Sequence, residues 1–269
     1  MRILITGANG FIGKNLRLRL SQVKGWELLP FTRENSRGEL PALVAVADAI
    51  IHLAGVNRTT DSTEMVEGNM GLTNALCDAI DKAVAAGHHP RLIHASSIQV
   101  TRDNDYGRSK LAAEQRVRDC ILAHELDGHI FRLPNVFGKW CRQNYNSVVA
   151  TFCHNIAHDL PVRIDDPNAR VNLVYIDDVV ETFLAVLEDE APARDEAGFA
   201  LVAPVYQASL QQLADLIRAF RESRRNHVVE HVGTGLTRAL YSTYLSYLEP
   251  ENFAYGITCQ GDQRGIFAE

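Results

Sequence analysis

From its first residues the chain alternates short apolar runs with longer amphipathic ones. Ile3-Leu4-Ile5 reads as a buried strand, and the segment after it places Ile12, Leu16 and Leu20 at helical spacing. Trp26 to Phe31 reads as a second strand and Ala47 to Gly55 as a buried third. A long helix follows, with Leu72, Leu76, Ala79, Ile80 and Ala83 on one face, closed by Gly87 and Pro90. Arg91 to Ala95 is the next strand, then a helix from about Tyr106 to His124, then the strand His129 to Leu133. Repeated β-α units of this kind predict an α/β fold with a parallel, doubly wound sheet that binds ligands at the carboxyl ends of its strands. Beyond residue 150 the pattern is less regular: a helix at about Ser147 to His158, a strand Val171 to Tyr175, and a helix opened by Asp177 and Asp178. A capping box from Ser209 to Gln212 stands ahead of Leu213, Leu216, Ile217 and Phe220. These interrupted elements predict a small lobe drawn mainly from 151–260 over a core of about 1–150. Glu188 to Asp195 reads as a charged surface connection.

The first strand runs directly into Gly7-Ala8-Asn9-Gly10-Phe11-Ile12-Gly13. Gly7 allows a tight bend, Gly10 lets a backbone approach a pyrophosphate, and Gly13 lets the helix pack closely on the strand. The free N–H groups and positive end of that helix then face an anion, as in a Rossmann-type dinucleotide site. The spacing is G-x-x-G-x-x-G, which a glycine-rich helix start of structural use would also satisfy.

Composition narrows the field by exclusion. The 269 residues are 46% hydrophobic and 22% charged, with a net charge of −6, which favours neither a nucleic-acid partner nor a membrane surface. No apolar run reaches the roughly 18 residues of a membrane span, and no leader precedes the first strand, so a cytoplasmic protein is expected. Cys77, Cys120, Cys141, Cys153 and Cys259 are scattered without a C-x-x-C pair and read as structural thiols rather than a disulfide framework or a metal site. His154 and His158 share a helix face but lack the acid of an H-E-x-x-H motif, so no metal is expected there.

Candidate chemistry gathers elsewhere. Tyr106 and Lys110 form a Y-x-x-x-K, and residues four apart on a helix point the same way. A lysine ammonium beside a phenol would lower its pKa and make it a useful acid near neutrality. Ser96-Ser97 end the preceding strand, and Ser97 could hold a reacting oxygen beside that phenol. His52-Leu53-Ala54-Gly55 ends the third strand in small residues that would let a cofactor cross its edge, or simply in a turn. Asp177 and Asp178 read best as acids favoured at a helix start.

In order along the chain these pieces resemble the extended short-chain dehydrogenase/reductase family of nucleotide-sugar epimerases, dehydratases and reductases. The resemblance gives Thr6 to Gly13 as the cofactor turn, with Gly7, Asn9, Gly10, Phe11, Ile12 and Gly13 as contacts. It gives Leu53, Ala54 and Gly55 as the third-strand cofactor motif, and Ser97, Tyr106 and Lys110 as the catalytic triad. It also implies that Arg132 to Gly138 carries nicotinamide and substrate contacts through Leu133, Asn135 and Val136, that Asn69 is a structural or cofactor-contacting asparagine, and that the chain pairs as a homodimer. The second strand ends in Phe31-Thr32-Arg33-Glu34, where the leading Arg33 favours the 2′-phosphate of NADP(H) over the 2′-hydroxyl of NAD.

Family dehydratases follow the catalytic Ser/Thr with an Asp-Glu pair; here Ile98-Gln99 follow Ser97, which argues against dehydration. The connection from Ser97 to Tyr106 is also short for the family. The runs His52 to Arg58, Asn135 to Val149 and Tyr241 to Leu248 carry a narrower likeness to the reductase domain of capsular-polysaccharide and O-antigen enzymes that make UDP-N-acetyl-L-fucosamine precursors. That likeness implies NADPH-dependent reduction at C4 of a UDP-4-keto-6-deoxy-hexosamine, giving a UDP-sugar of talo type, with Ser97, Asn135, Asn144 and Asn146 touching the substrate. It also makes residues 1–260 the reductase domain and 261–269 the opening of a zinc cupin. A redox-neutral epimerase with bound NAD and a non-catalytic NADP-sensing protein remain as alternatives.

Overall fold

A computed structural model describes residues 1–56, 67–257 and 259–268. Asn57 and Arg58 of the third-strand run, and Glu269, lie outside the described residues.

The main sheet has the order β2-β1-β3-β4-β5 and every pairing in it is parallel. Its strands are β1 (Arg2–Thr6), β2 (Glu27–Phe31), β3 (Ala49–His52), β4 (Arg91–Ser97) and β5 (Gly128–Leu133). Ile3, Leu4, Ile5, Ile50 and Ile51 are fully buried, because helices cover both faces of the sheet and leave no solvent side to be polar. One face packs against α1 (Phe11–Leu20) and α6 (Ile176–Leu187), the other against α2 (Leu40–Val44), α3 (Leu72–Ala85) and α4 (Asp105–Ala123).

Register decides where the site can be. Thr6 lies opposite Phe31 and His52, His52 opposite His94, and Ser97 opposite Leu133. The residues that follow, Gly7, Arg33, Leu53 to Gly55 and Ile98, therefore leave the sheet along one edge. Thr6 Oγ1 ties two of these exits together, bonding His52 Nδ1 at 2.7 Å and accepting from the Ala54 N–H at 3.3 Å.

The second half folds partly back onto this sheet. Arg19 on α1 pairs with Glu181 on α6, and Ala200 forms an isolated parallel bridge to Phe131. Part of the 151–260 stretch therefore packs on the main sheet, beside the lobe expected to be drawn mainly from it. A second sheet orders β6 (Asn135–Phe137), β7 (Arg170–Tyr175) and β8 (Tyr206–Ser209), parallel and then antiparallel. Around it α5 (Val148–Ala157), α7 (Leu210–Asn226) and α8 (Gly235–Leu245) share a core in which Phe220 meets Tyr241 and Tyr244. The Ser209–Gln212 capping box is present, with Gln212 N–H on Ser209 Oγ at 3.1 Å and Ser209 N–H on Gln212 Oε1 at 2.9 Å. Among the described residues β9 (Cys259–Asp262) and β10 (Gly265–Ala268) pair only with each other, so residue 260 lies within a hairpin strand. Among the described residues no helix is long and apolar enough to cross a membrane.

Candidate active site

The glycine turn is built as its spacing requires. Gly7 has φ +68°, and a Cβ on it would stand 2.8 Å from Ala54 N, so the β1 exit and the β3 exit touch through backbone. A Cβ on Gly13 would stand 2.4 Å from Gly7 O and 2.8 Å from Ala8 O, so α1 starts in direct contact with the turn. Gly10 is the N-cap of α1, and among the described residues no side chain caps that helix. Its opening N–H groups are thus left for an anion, and the cradle fits a pyrophosphate. Asn9 turns its Oδ1 to Arg17 at 2.8 Å, while Phe11 and Ile12 pack half-buried against the core.

Beyond β2 a small hydrogen-bonded loop fixes the next group. Asn35 Oδ1 accepts the Thr32 N–H at 2.9 Å, Asn35 Nδ2 donates to Glu39, and Glu39 closes a capping box on the Ser36 N–H at 2.6 Å. Those bonds hold the Glu39 carboxyl below its ordinary pKa and occupy it, the Asn35 side chain first. Arg33 stays exposed, and among the described residues it makes no hydrogen bond or ion pair.

Strand β4 and helix α4 position the triad expected from sequence. Ser97 ends β4, and its Oγ accepts the Gln99 N–H at 3.1 Å, starting a 3₁₀ turn over Ile98–Thr101. Asn104 then caps α4 by accepting the Gly107 N–H at 2.7 Å, which sets Tyr106 in the first helical turn. A Cβ on Gly107 would lie 2.1 Å from Arg102 O, so the helix can seat against this short connection only with glycine there. Tyr106 and Ser97 interact through their hydroxyls.

Lys110 is buried at 6% exposure and donates to Ala95 O at 3.2 Å. Burial pulls its pKa down to about 8 against the opposing pull of Glu114. The expectation that Lys110 depresses the Tyr106 phenol needs correcting. Burial raises the phenol above its ordinary value, the Ser97 hydroxyl offsets this in part, and the Tyr145 phenol adds to it. With its ammonium on the Ala95 carbonyl, Lys110 leaves Tyr106 a protonated phenol in the resting site.

Gly55 brings the third-strand motif to the same place: a Cβ there would stand 2.9 Å from Asn69 Oδ1 and 3.6 Å from Lys110 Nζ. Asn69 is 1% exposed, and its amide is spent on Val56 N, Val56 O and Ser109 Oγ at 2.9, 3.1 and 3.0 Å. Its side chain therefore locks the β3 exit to α4, the structural half of what the sequence suggested. Leu133 is buried in the core, and Asn135, half-buried beside Val136 on β6, donates to Asn172 O at 3.0 Å.

A cleft of about 700 Å³ opens at Tyr106 and is lined by Gln99, Asn144, Tyr145, Asn146 and Arg163 among others. Asn144 has φ +53° and gives its N–H to Thr151 Oγ1 at 3.0 Å, which turns the 144–146 run toward Tyr106. Asn144 and Asn146 thus share a cleft with Tyr106, whereas Asn135 does not line it.

Two buried polar groups here escape a motif search. Glu114, one turn beyond Lys110, accepts Arg132 through both carboxylate oxygens and Ser96 Oγ at 2.6 Å, so β4, β5 and α4 are clamped behind the triad. The four-residue rhythm Tyr106, Lys110, Glu114 was the available signal. His52 and His94 stack at 5.1 Å beneath Lys110, and burial holds both well below the ordinary histidine pKa, His52 at about 3. The pair is neutral and adds no charge beside the lysine.

The sequence profile of the NAD dependent epimerase/dehydratase family matches residues 3–200. The chain belongs to that family. It is 48% identical over 271 residues to a UDP-2-acetamido-2,6-beta-L-arabino-hexul-4-ose reductase of Pseudomonas aeruginosa, an alignment that covers all of this chain and 71% of the relative. The crystal structure of the capsular polysaccharide assembling protein CapF from Staphylococcus aureus superposes with a TM-score of 0.89 at 37% identity, over 100% of this chain and 71% of that one. The NAD complex of a Bacillus cereus UDP-glucuronic acid 4-epimerase shares the fold, with a TM-score of 0.74 at 18% identity over 92% and 98% of the two chains.

Proposed function

We propose that the chain is a nucleotide-sugar oxidoreductase that uses NADPH to reduce the C4 ketone of a UDP-4-keto-2-acetamido-2,6-dideoxyhexose, giving a product of L-talo type. The observation that carries the reading is Tyr106, which lines the Asn144–Ser147 cleft with its hydroxyl against that of Ser97, on the sheet edge where the glycine turn also ends. The Pseudomonas relative, whose name gives a 4-ulose substrate, supplies the substrate class.

Gly7, Gly10 and Gly13 would hold the pyrophosphate, Arg33 the 2′-phosphate, and Leu53 to Gly55 with Lys110 the remainder of the dinucleotide. Asn9, Phe11, Ile12, Leu133 and Val136 complete the proposed cofactor wall. The bound dinucleotide supplies the hydride that reaches C4. Tyr106, kept protonated by burial, gives its proton to the C4 oxygen as negative charge develops there. Ser97, whose oxygen accepts from Gln99 and whose hydroxyl meets that of Tyr106, would turn that hydroxyl to the same oxygen when substrate enters. Lys110, held on the Ala95 carbonyl, would act on the dinucleotide beside Gly55 rather than on the Tyr106 phenol. Asn144 and Asn146 would bind the sugar or the UDP in that cleft, and Asn135, which does not line it, would reach the substrate only from outside it.

The test is NADPH oxidation measured against a panel of UDP-4-keto sugars, with product configuration read by NMR. Stoichiometric oxidation with one 4-ulose supports the reading. Conversion of a UDP-sugar with no net NADPH consumption would make the protein an epimerase instead.

A further inference from the structure

Helices α3 and α4 lie side by side on the sheet face opposite α1, and where they meet each presents a pair of metal-ligating side chains. Cys77 and Asp81 stand four residues apart on α3, and Cys120 and His124 four apart at the end of α4, so each pair shares a helix face. One ligand atom from each of Asp81, Cys120 and His124 lies within 4.8 Å of the other two. Asp81 Oδ1 and His124 Nε2 are 2.7 Å apart, and the Cys77 and Cys120 thiols interact directly. Cys120 is 1% exposed, whereas the Asp81 and His124 side chains are 42% and 23% exposed, so the cluster has a buried sulfur floor and an opening to solvent.

An ion-pair network would account for part of this. Arg116 bonds Asp78 and Asp81 at 3.1 Å each and ties the helices by itself. That network uses Asp81 Oδ2 and leaves Oδ1 with His124, and it gives the Cys120 sulfur at the centre no role. One sulfur, one imidazole nitrogen and one carboxylate oxygen form a donor set that suits Zn²⁺, whereas Ca²⁺ and Mg²⁺ take oxygen ligands. Arg116 then serves as an outer partner that orients the Asp81 carboxylate.

We propose that Asp81, Cys120 and His124 form a binding site for a thiophilic divalent cation, best matched by Zn²⁺, with water as the fourth ligand. Binding breaks the Asp81–His124 hydrogen bond, moves the neutral imidazole's proton from Nε2 to Nδ1, and releases the Cys120 thiol proton to solvent. The ion cross-links α3 to the distal end of α4, the helix that carries Tyr106 and Lys110 at its start. The isolated cysteine and histidine spacings hide such a site, because its ligands come from two helices.

The experiment uses the whole chain, reduced and stripped with chelator, titrated with Co²⁺ and then Zn²⁺. A thiolate-to-cobalt charge-transfer band should appear, disappear on Zn²⁺ addition, and be absent in Cys120→Ser. Saturating Zn²⁺ should raise Tm by about 5 °C or more. His124→Ala, at the solvent-facing helix end, should weaken Co²⁺ binding by at least about tenfold even if the cysteine variant folds poorly. No band in the wild type, a band that survives in Cys120→Ser, or unchanged affinity in His124→Ala would each overturn the assignment.

Discussion

Replacing Gly13 by alanine probes the contact on which the dinucleotide end of the site depends. The new methyl would lie 2.4 Å from Gly7 O and 2.8 Å from Ala8 O, both backbone atoms that no rotamer change can remove. Ordinary contact begins near 3.4 Å, so α1 must withdraw from the turn by about 1 Å. Overpacking of this kind costs about 1–3 kcal/mol. For a chain of this size Tm then falls by about 2–4 °C per kcal/mol. The same withdrawal pulls the α1 N–H groups off the pyrophosphate. Losing one charge-assisted hydrogen bond, worth about 1.5–3 kcal/mol, raises the NADPH Kd roughly tenfold to a hundredfold. Gly10→Ala separates the two effects. Its methyl meets only Gly7 O, at 3.1 Å, so Tm should stay near wild type while the Kd still rises, because the methyl stands in the ligand's path. Thermal denaturation and calorimetric titration with NADPH read both quantities. A Gly13→Ala variant with unchanged Tm and Kd, or a Gly10→Ala variant that binds NADPH as tightly as wild type, would refute the reasoning.

Tyr106→Phe should lower turnover by about 10²–10⁴-fold and leave the NADPH Kd within about twofold, since only the proton donor is removed; near-normal turnover would take Tyr106 out of that role. The pH profile should show an alkaline limb near 8 from loss of the Lys110 proton, and none from Tyr106, whose pKa is raised. An unfolded lysine keeps its proton to about 10.4, so the unfolded chain binds more protons between about 8 and 10.4, and folding stability contributed by this group rises with pH across that window. Urea denaturation at several pH values checks that sign. Arg33→Glu should weaken NADPH far more than NADH in paired titrations, and equal losses for both would remove Arg33 from cofactor selection.

The halves of the fold differ in how much their sequences reveal. The β1–turn–α1 unit, the succession of β-α units, the Tyr106 helix and the Ser209 capping box could all be read because each rests on local spacing: a buried apolar run, a glycine that only a close approach explains, a cap three residues before its partner. β6 is three residues long and carries no period, and its pairing with β7 is fixed by tertiary contact. α8 begins after Thr234 with no side-chain cap and contains Thr237, Ser242 and Thr243, residues of modest helix propensity, so its packing against α5 and α7 sets it.

At the site, Ser97, Tyr106 and Lys110 were legible as residue types, but their electrostatics were not. Spacing alone puts Lys110 on the Tyr106 face of the helix. Burial and the Ala95 carbonyl decide what each ionisable group does. Asn69 likewise reads as a polar residue near the cofactor, and only its three occupied hydrogen bonds show it holding backbone. The Glu114–Arg132 clamp joins residues 18 apart in sequence, beyond the reach of any local pattern.

The central claim, net reduction at C4 with Tyr106 as the acid, is tested most directly by isotope transfer. The protein is incubated with NADPH carrying deuterium at both nicotinamide C4 positions and a UDP-2-acetamido-2,6-dideoxy-4-ulose, and the sugar product is examined by NMR. The account predicts one deuterium at sugar C4 for each NADPH oxidised, and loss of that transfer in Tyr106→Phe. Turnover of the sugar with no deuterium at C4, or with NADPH unconsumed, would contradict it.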